Sequence, residues 1–189
     1  MIQVYTGNGK GKTTAAIGLA IRALGAGHKV FLMQFMKSLA YSEQHILQKM
    51  PNLTLETTGK PFFIAEEGMM DERAREALGA DVVIFPKGHP PDDYVALLTS
   101  GLERVMDVIS KGETNLIILD EINIALFFGL LQRAQMEEIL HALPSETELV
   151  CTGRNAPQWL LDRADLITEM REVRHYYERG ISARKGIEN

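Results

Sequence analysis

The sequence predicts an α/β fold in which a mostly parallel sheet carries helices on both faces. Short apolar runs alternate along the chain with segments whose apolar residues recur at helical spacing. This alternation is typical of strand–helix–strand units, whose connections place successive strands parallel in one sheet. The continuous apolar run at 116–119 is typical of a strand that is buried on both faces. A length of 189 residues suits one domain. We expect that domain to span residues 1–189, with an insertion or flap at about 64–113.

The elements follow one another from the start of the chain. A short strand around Ile2 and Val4 leads into a glycine-rich turn and then into an almost wholly apolar helix that ends near Gly25. Residues 82–85 are compatible with a strand, but the proline-rich segment 86–91 after them predicts an exposed loop or flap. The remaining pattern predicts strands at 29–36, 53–57, 116–119, 149–151 and 166–170, and helices at 42–50, 71–78, 94–110, 122–128, 134–143 and 157–163.

Residues 6–14 read TGNGKGKTT between the first strand and the first helix, and we call this segment the phosphate loop. Its three glycines let successive backbone N–H groups point inward and cradle phosphate oxygens at a helix N-terminus. The segment ends like the pattern G-x-x-x-x-G-K-[ST], although Thr6 stands where that pattern opens with glycine. Strand, turn and helix together predict a P-loop NTPase-like (RecA-like) fold. The predicted phosphate-binding residues are Thr6, Gly7, Asn8, Gly9, Lys10, Gly11, Lys12, Thr13 and Thr14.

Two carboxylates, Asp120 and Glu121, come directly after the buried run at 116–119. In open α/β sheets, ligands bind at the carboxyl edge of the strands. We therefore predict a Mg²⁺ site formed by Thr13, Asp120 and Glu121. The same two carboxylates are also compatible with a plain strand end or with helix N-terminal charges.

Two basic residues follow other predicted strands and reach the same edge of the sheet. Arg154 has a guanidinium that binds phosphate oxygens as a rigid fork, or it is a surface arginine on a turn. Lys37 is either another phosphate contact or a solvated strand end.

Phe62 and Phe63 are predicted in a loop, where aromatic side chains could hold a flat ligand; core packing of at least one remains the alternative.

The composition excludes several other classes of protein. A net charge of −5 and a pI near 5.6 argue against a general nucleic-acid binder. No 18-residue apolar run and no signal-peptide pattern occur, so we expect a cytoplasmic protein without a membrane partner. The single cysteine, Cys151, lies in an apolar run and is expected to be a buried strand thiol. The histidines lack metal-ligand spacing, so a zinc site is not expected.

The chain closely resembles the P-loop type ATP:corrinoid adenosyltransferases. The resemblance covers roughly residues 1–37 and 114–188, and its motifs are the nonapeptide 6–14, Asp120-Glu121, the TGR at 152–154 and the ending at 169–188. It implies transfer of the 5′-deoxyadenosyl group of ATP to the cobalt of a reduced corrinoid, as in cobalamin biosynthesis. It further implies release of triphosphate, a requirement for Mg²⁺, and usually a homodimer. A flavin-type reductase that supplies electrons is a possible partner.

The chemistry that the resemblance implies agrees with the residues present. Cobalt(I) is already a strong nucleophile, so the protein needs no general base and instead must align the substrates and stabilise the leaving triphosphate. We expect Lys12 and Arg154 to be the catalytic residues for that task, together with backbone N–H groups and Mg²⁺. The resemblance also implies that loop aromatics pack against the corrin, and Phe62 and Phe63 occupy a comparable place in this sequence.

Two other functions are compatible with the same residues. One is a generic ATPase or kinase, in which Glu121 would position a water or an acceptor. The other is a nucleotide-dependent corrinoid-binding module without turnover. The nucleotide products separate the three functions: triphosphate indicates adenosyl transfer, phosphate or ADP indicates an ATPase or kinase, and the absence of all these products indicates a binding module.

Overall fold

The computed structural model describes residues 1–69, 82–181 and 183–188. The predicted helix at 71–78 lies outside these residues. The strands are β1 (Ile2–Thr6), β2 (Val30–Phe35), β3 (Leu53–Thr58), β4 (Phe63–Glu66), β5 (Val82–Phe85), β6 (Leu116–Asp120), β7 (Glu148–Thr152) and β8 (Leu166–Glu169). The α-helices are α1 (Lys12–Gly25), α2 (Gln44–Leu47), α3 (Asp92–Lys111), α4 (Ile122–Phe127), α5 (Arg133–Ala142) and α6 (Gln158–Leu161), and a 3₁₀ helix spans Tyr176–Arg179.

Six strands form one parallel sheet in the order β3-β2-β6-β7-β1-β8. β6 lies inside the sheet, between β2 and β7, and every residue of β2 and β6 is buried. Because all the strands run the same way, their carboxyl ends meet at one edge. The register places Gln34 beside Asp120 on that edge.

Helices cover both faces of the sheet, which confirms the predicted α/β class. Alternate residues of the central strands point to opposite faces. On one face, Ala16 and Ala20 of α1 pack in a cluster that includes Leu32, Ile118 and Val150. On the other face, apolar residues of α3 and α5 pack against the sheet in a larger cluster that includes Leu98, Leu102, Val105, Met136, Ile139, Phe31, Met33, Ile117 and Leu119.

The structure decides one assignment that the sequence left open, and three local predictions differ from it. The ambiguous segment 82–85 is strand β5, and it pairs in parallel with β4 in a separate two-stranded sheet. Phe63 is the first residue of β4, so its assignment to a loop was wrong. A four-residue strand carries no periodicity that distinguishes it from a loop, and only its pairing with β5 defines it. The helices predicted at 42–50 and 157–163 shrink to four residues each, anchored by the buried Leu47 and Leu160.

Two further expectations can be compared with the described part of the chain. Cys151 is fully buried, as predicted, and burial raises the pKa of its thiol to about 12. None of the helices in residues 1–69, 82–181 and 183–188 combines the length and apolar character needed to cross a membrane.

Candidate nucleotide and metal site

The phosphate loop curls between the end of β1 and the start of α1 and lies against the backbone that follows β8. Gly11 caps α1 in a left-handed conformation, with φ 115°. The Gly9 N–H donates to the carbonyl oxygen of Met170 at 2.7 Å. A Cβ at Gly7 or Gly9 would lie 2.4 or 2.7 Å from that same oxygen. The loop therefore needs glycine at both positions because another backbone segment passes directly beside it.

Thr6 has a structural role at the position where the usual pattern has glycine. Its hydroxyl accepts a hydrogen bond from the Ala156 N–H at 3.3 Å, and its carbonyl accepts one from the Met170 N–H at 2.9 Å. Asn8 adds a third link, since its side-chain oxygen accepts the N–H of Glu172 at 3.2 Å. The loop is thus tied to the chain after β7 and after β8, and Thr6 supplies a link that glycine lacks.

Lys12 lies at the centre of the loop. Its Nζ donates to the carbonyl oxygens of Gly7 and Gly9, both at 2.8 Å. Burial and the positive charge of Arg154 lower the pKa of Lys12, while Glu121 and Asp120 act in the opposite direction. Two cations that repel each other favour an anionic ligand, which would relieve that repulsion.

Asp120 is completely buried and accepts hydrogen bonds from four side chains. Thr13 and Thr152 donate to Oδ1 at 2.8 and 2.6 Å. Gln34 and Lys37 donate to Oδ2 at 3.0 and 2.7 Å. Burial alone would raise the pKa of Asp120, but the charge of Lys37 and these hydrogen bonds hold that pKa below its usual value. Asp120 is therefore an ionised carboxylate at the floor of the site.

Glu121 follows in a left-handed backbone conformation, with φ 63°. Its N–H donates to the Thr152 hydroxyl at 3.0 Å, which helps to hold this unfavourable geometry. Burial and the neighbouring charge of Asp120 raise the pKa of Glu121, against the effect of Lys37 and other cations. Its carboxylate lines the main cavity of the site, unlike that of the fully buried Asp120.

Two cavities, of about 730 and 650 Å³, flank the phosphate loop and share Asn8, Arg154 and Glu172 in their linings. The larger cavity is bounded on one side by the loop and on another by the segment after β2. Its lining includes Lys12, Thr13, Thr14, Lys37, Tyr41, Ile46, Glu121, Arg154, Glu172 and Glu188. A cavity with a glycine-rich loop, cations and carboxylates on its walls has the chemistry of a metal–nucleotide site.

A family model described as "ATP:corrinoid adenosyltransferase BtuR/CobO/CobP" matches residues 1–189. The chain belongs to this ATP:corrinoid adenosyltransferase family. It is 30% identical over 188 residues to the corrinoid adenosyltransferase of Pseudomonas aeruginosa, covering 100% of this chain and 83% of that protein. It is 31% identical over 189 residues to the corrinoid adenosyltransferase CobA of Salmonella typhimurium and 29% identical to the corrinoid adenosyltransferase of Escherichia coli, covering 100% of this chain and 85% of each.

Membership of the adenosyltransferase family confirms the resemblance seen in the motifs. The match extends through the middle of the chain, beyond the 1–37 and 114–188 that carried the resemblance. The protein is accordingly an enzyme that transfers an adenosyl group from ATP to a corrinoid, and the generic ATPase or kinase is not favoured.

The structure brings most of the predicted site residues of this adenosyltransferase together. Lys12, Thr13, Thr14, Glu121 and Arg154 line one cavity. Arg154 is exposed there and makes no hydrogen bond or ion pair with any residue that the structure describes. Lys10 also borders the cavity, but its Nζ donates to the Ile187 carbonyl at 2.9 Å and lies 3.9 Å from the Glu188 carboxylate.

The two aromatic residues lie apart from this cavity and differ in burial. Phe62 packs against the larger core cluster, with its ring centroid 6.1 Å from that of Tyr94. Phe63 is 49% exposed on β4. Neither side chain lines the two cavities beside the phosphate loop. The pair thus separates into one packed ring and one ring available to a ligand.

The sequence did not predict several residues that form hydrogen bonds within the site. The roles of Thr152 and Gln34 follow from the strand order, because β2 and β7 both pair with β6. Gln44 donates to the Gln34 side-chain oxygen at 2.7 Å from helix α2, and no motif marks it. The C-terminal segment 169–188 was marked only by its resemblance to the family, yet Gly186, Ile187 and Glu188 line the larger cavity.

Proposed function

We propose that the larger cavity binds ATP with its triphosphate in the phosphate loop and that the 5′-deoxyadenosyl group passes to the cobalt(I) of a reduced corrinoid. The observation that carries this proposal is the convergence of Lys12, Arg154, Thr13 and Glu121 on one cavity at the carboxyl edge of the sheet, where Thr13 is hydrogen-bonded to the buried Asp120. The cobalt electron pair forms a bond to C5′, the C5′–oxygen bond breaks, and triphosphate leaves with that bond's electrons.

The residues are arranged to hold a highly charged leaving group. Lys12 and Arg154 supply positive charge, and the N–H groups at the start of α1 supply hydrogen bonds. Asp120 is unsuited to act as a base, because four donors already occupy its oxygens. The reaction with cobalt(I) requires no base, which agrees with this arrangement.

Mg²⁺ belongs to the proposal as the partner of the nucleotide. Among the described residues, no group of three or more His, Cys, Asp or Glu side chains is placed to hold a metal ion. Thr13 and Asp120 nevertheless lie within a 2.8 Å hydrogen bond of each other, and Glu121 follows them at the cavity wall. This set suits Mg²⁺, which takes one or two protein carboxylates and completes its shell with phosphate oxygens and water. When bound, the ion would neutralise negative charge on the triphosphate.

The proposal also covers the cellular location of the enzyme, its subunit assembly and its source of reduced corrinoid. We expect a cytoplasmic homodimer that receives its corrinoid reduced by a flavin-type reductase and serves cobalamin biosynthesis. The exposed apolar residues Leu166 and Ile167 on the edge strand β8, 45% and 50% exposed, support a second subunit.

The first test follows both products of one reaction. With pre-reduced cobalt(I) corrinoid, Mg²⁺ and ATP, we expect one light-sensitive alkyl corrinoid and one intact triphosphate for each ATP consumed. Visible spectra report the cobalt–carbon bond, and chromatography reports the nucleotide products. Phosphate or ADP released in step with ATP loss, with no alkyl corrinoid, would contradict adenosyl transfer and restore the ATPase alternative.

The second test concerns the corrinoid side of the site. Because Phe63 is half exposed and Phe62 is packed on Tyr94, we expect the single variants to behave differently. Phe63→Ala should raise the KM for corrinoid while leaving the ATP affinity and the melting temperature near those of wild type. Phe62→Ala should instead lower stability by about 3 kcal/mol or less, since this ring is only partly buried.

The measurements are steady-state kinetics with each substrate varied and thermal unfolding of both variants. An equal rise in the KM for ATP and for corrinoid in Phe63→Ala would remove Phe63 from a specific corrinoid contact.

A further inference from the structure

The ammonium group of Lys37 lies against two of the side chains proposed to bind the metal ion. Its Nζ lies 2.7 Å from Asp120 Oδ2 and 3.3 Å from Thr13 Oγ1. Those two oxygens belong to the hydroxyl and the buried carboxylate of the proposed metal site. The Lys37 side chain is 12% exposed and that of Asp120 is 0% exposed, so the ion pair is shielded from solvent. The Lys37 ammonium is thus bound to Asp120 and Thr13, the same side chains that are proposed to bind Mg²⁺.

The acceptor positions of the Asp120 carboxylate are already filled by donors from the protein. A carboxylate offers about four acceptor sites, and four donors fill them here. Gln34 and Thr152 lie on buried strands and are 0% exposed. Thr13 does not have to leave, because a threonine hydroxyl can keep its bond to a carboxylate while it binds a metal. Lys37 is the charged donor, and it alone of the four is carried on a long flexible stem. A divalent ion at Asp120 would therefore replace Lys37.

The Lys37 side chain has space in the larger cavity for an alternative position. Its backbone is held closely, because a Cβ at Gly59 would lie 2.3 Å from the Lys37 nitrogen. Its side chain reaches the larger cavity, and Nζ already lies 5.3 Å from the centroid of the Tyr41 ring in the same lining. A rotation of the side chain alone moves the ammonium from Asp120 toward the space proposed for the triphosphate.

We propose that Lys37 is a positioning residue that holds the metal site closed until metal and nucleotide arrive together. Without them, its ammonium neutralises Asp120 and opposes binding of a divalent ion alone. When the metal–ATP complex binds, Lys37 would give up its bond to Asp120 and its ammonium would turn toward the phosphate chain. This inference rests on the metal site proposed above. It assigns the enzyme a means of coupling metal binding to nucleotide binding.

The test is direct binding of Mn²⁺ to the protein without ATP or corrinoid, followed by the electron paramagnetic resonance of free Mn²⁺. Lys37→Met should bind Mn²⁺ at least about tenfold more tightly than wild type, because a buried carboxylate without its partner attracts cations strongly. Lys37→Arg keeps the positive charge and should bind as weakly as wild type. Lys29→Met is the matched control for net charge, since Lys29 is exposed and pairs with Glu113 at the other end of β2.

A second neutral variant of Lys37 and a Mn²⁺ titration in the presence of ATP distinguish failure of the Lys37 role from failure of the metal site. Lys37→Gln is neutral, so it should also gain Mn²⁺ affinity. Because its amide can still donate to Asp120, it serves if Lys37→Met does not fold. Unchanged or weaker Mn²⁺ binding in the folded neutral variant, with tight Mn²⁺ binding by wild type in the presence of ATP, would overturn the role of Lys37 alone. Absence of Mn²⁺ binding by wild type with ATP would instead reject the metal site.

Discussion

Lys12→Ala should lower kcat by about 10²–10³, the usual effect of removing one preorganised contact to developing negative charge. Lys12 is 8% exposed at the centre of the phosphate loop, where its ammonium bonds two loop carbonyls. Burial and Arg154 lower the pKa of Lys12 against the opposite effect of Glu121 and Asp120, and a bound triphosphate would favour the charged form. The lost contact is therefore expected to act mainly on the charged leaving group.

The measurement is single-turnover formation of the alkyl corrinoid at saturating ATP, with thermal unfolding to establish that the variant is folded. Lys29→Ala, which removes an exposed lysine remote from the loop, is the control and should retain wild-type rates. A folded Lys12→Ala protein with wild-type turnover would rule out the phosphate loop as the triphosphate site.

The parts of this site that sequence reasoning found are those encoded within a few consecutive residues. The glycines of the phosphate loop, Lys12 and Thr13 form one uninterrupted motif, and Asp120-Glu121 directly follows an apolar run. Parallel topology then places the ends of these segments at the same edge of the sheet, whatever the strand order. That is why the pairing of Thr13 with Asp120, residues far apart in the chain, could be predicted from local patterns.

The parts that it missed depend on which strands are neighbours. Lys37 had two predicted roles, phosphate contact or solvated strand end, and the structure shows it paired with Asp120. That ion pair exists because β2 lies beside β6, and hydrophobic periodicity does not specify strand order. The same limitation hid the hydrogen bonds from Gln34 and Thr152 to Asp120. The pairing of β4 with β5 was hidden for a related reason, since four-residue strands carry too little pattern.

Asp120→Asn should have the second large effect, because it changes one charge in a site where four side chains depend on it. The amide keeps one acceptor oxygen but turns the other position into a donor, which faces Lys37 and Gln34 or the two threonine hydroxyls. We expect a loss of stability of about 1–3 kcal/mol, the usual cost of leaving a buried polar group badly paired. We also expect Mn²⁺ binding in the presence of ATP to weaken by at least about 10–100-fold.

A double variant separates the structural role of Asp120 from its role toward the metal. In Asp120→Asn the ammonium of Lys37 loses its counter-charge, whereas Asp120→Asn with Lys37→Met removes both members of the ion pair. Because replacing a whole buried pair costs less than breaking it, the double variant should recover much of the lost stability. It should not recover Mn²⁺ binding or adenosyl transfer, since the carboxylate is still absent. Asp162→Asn, an exposed change of the same kind, serves as the control. If Asp120→Asn bound Mn²⁺ with ATP as tightly as wild type, Asp120 would be a structural anchor for Lys37 and not a metal ligand.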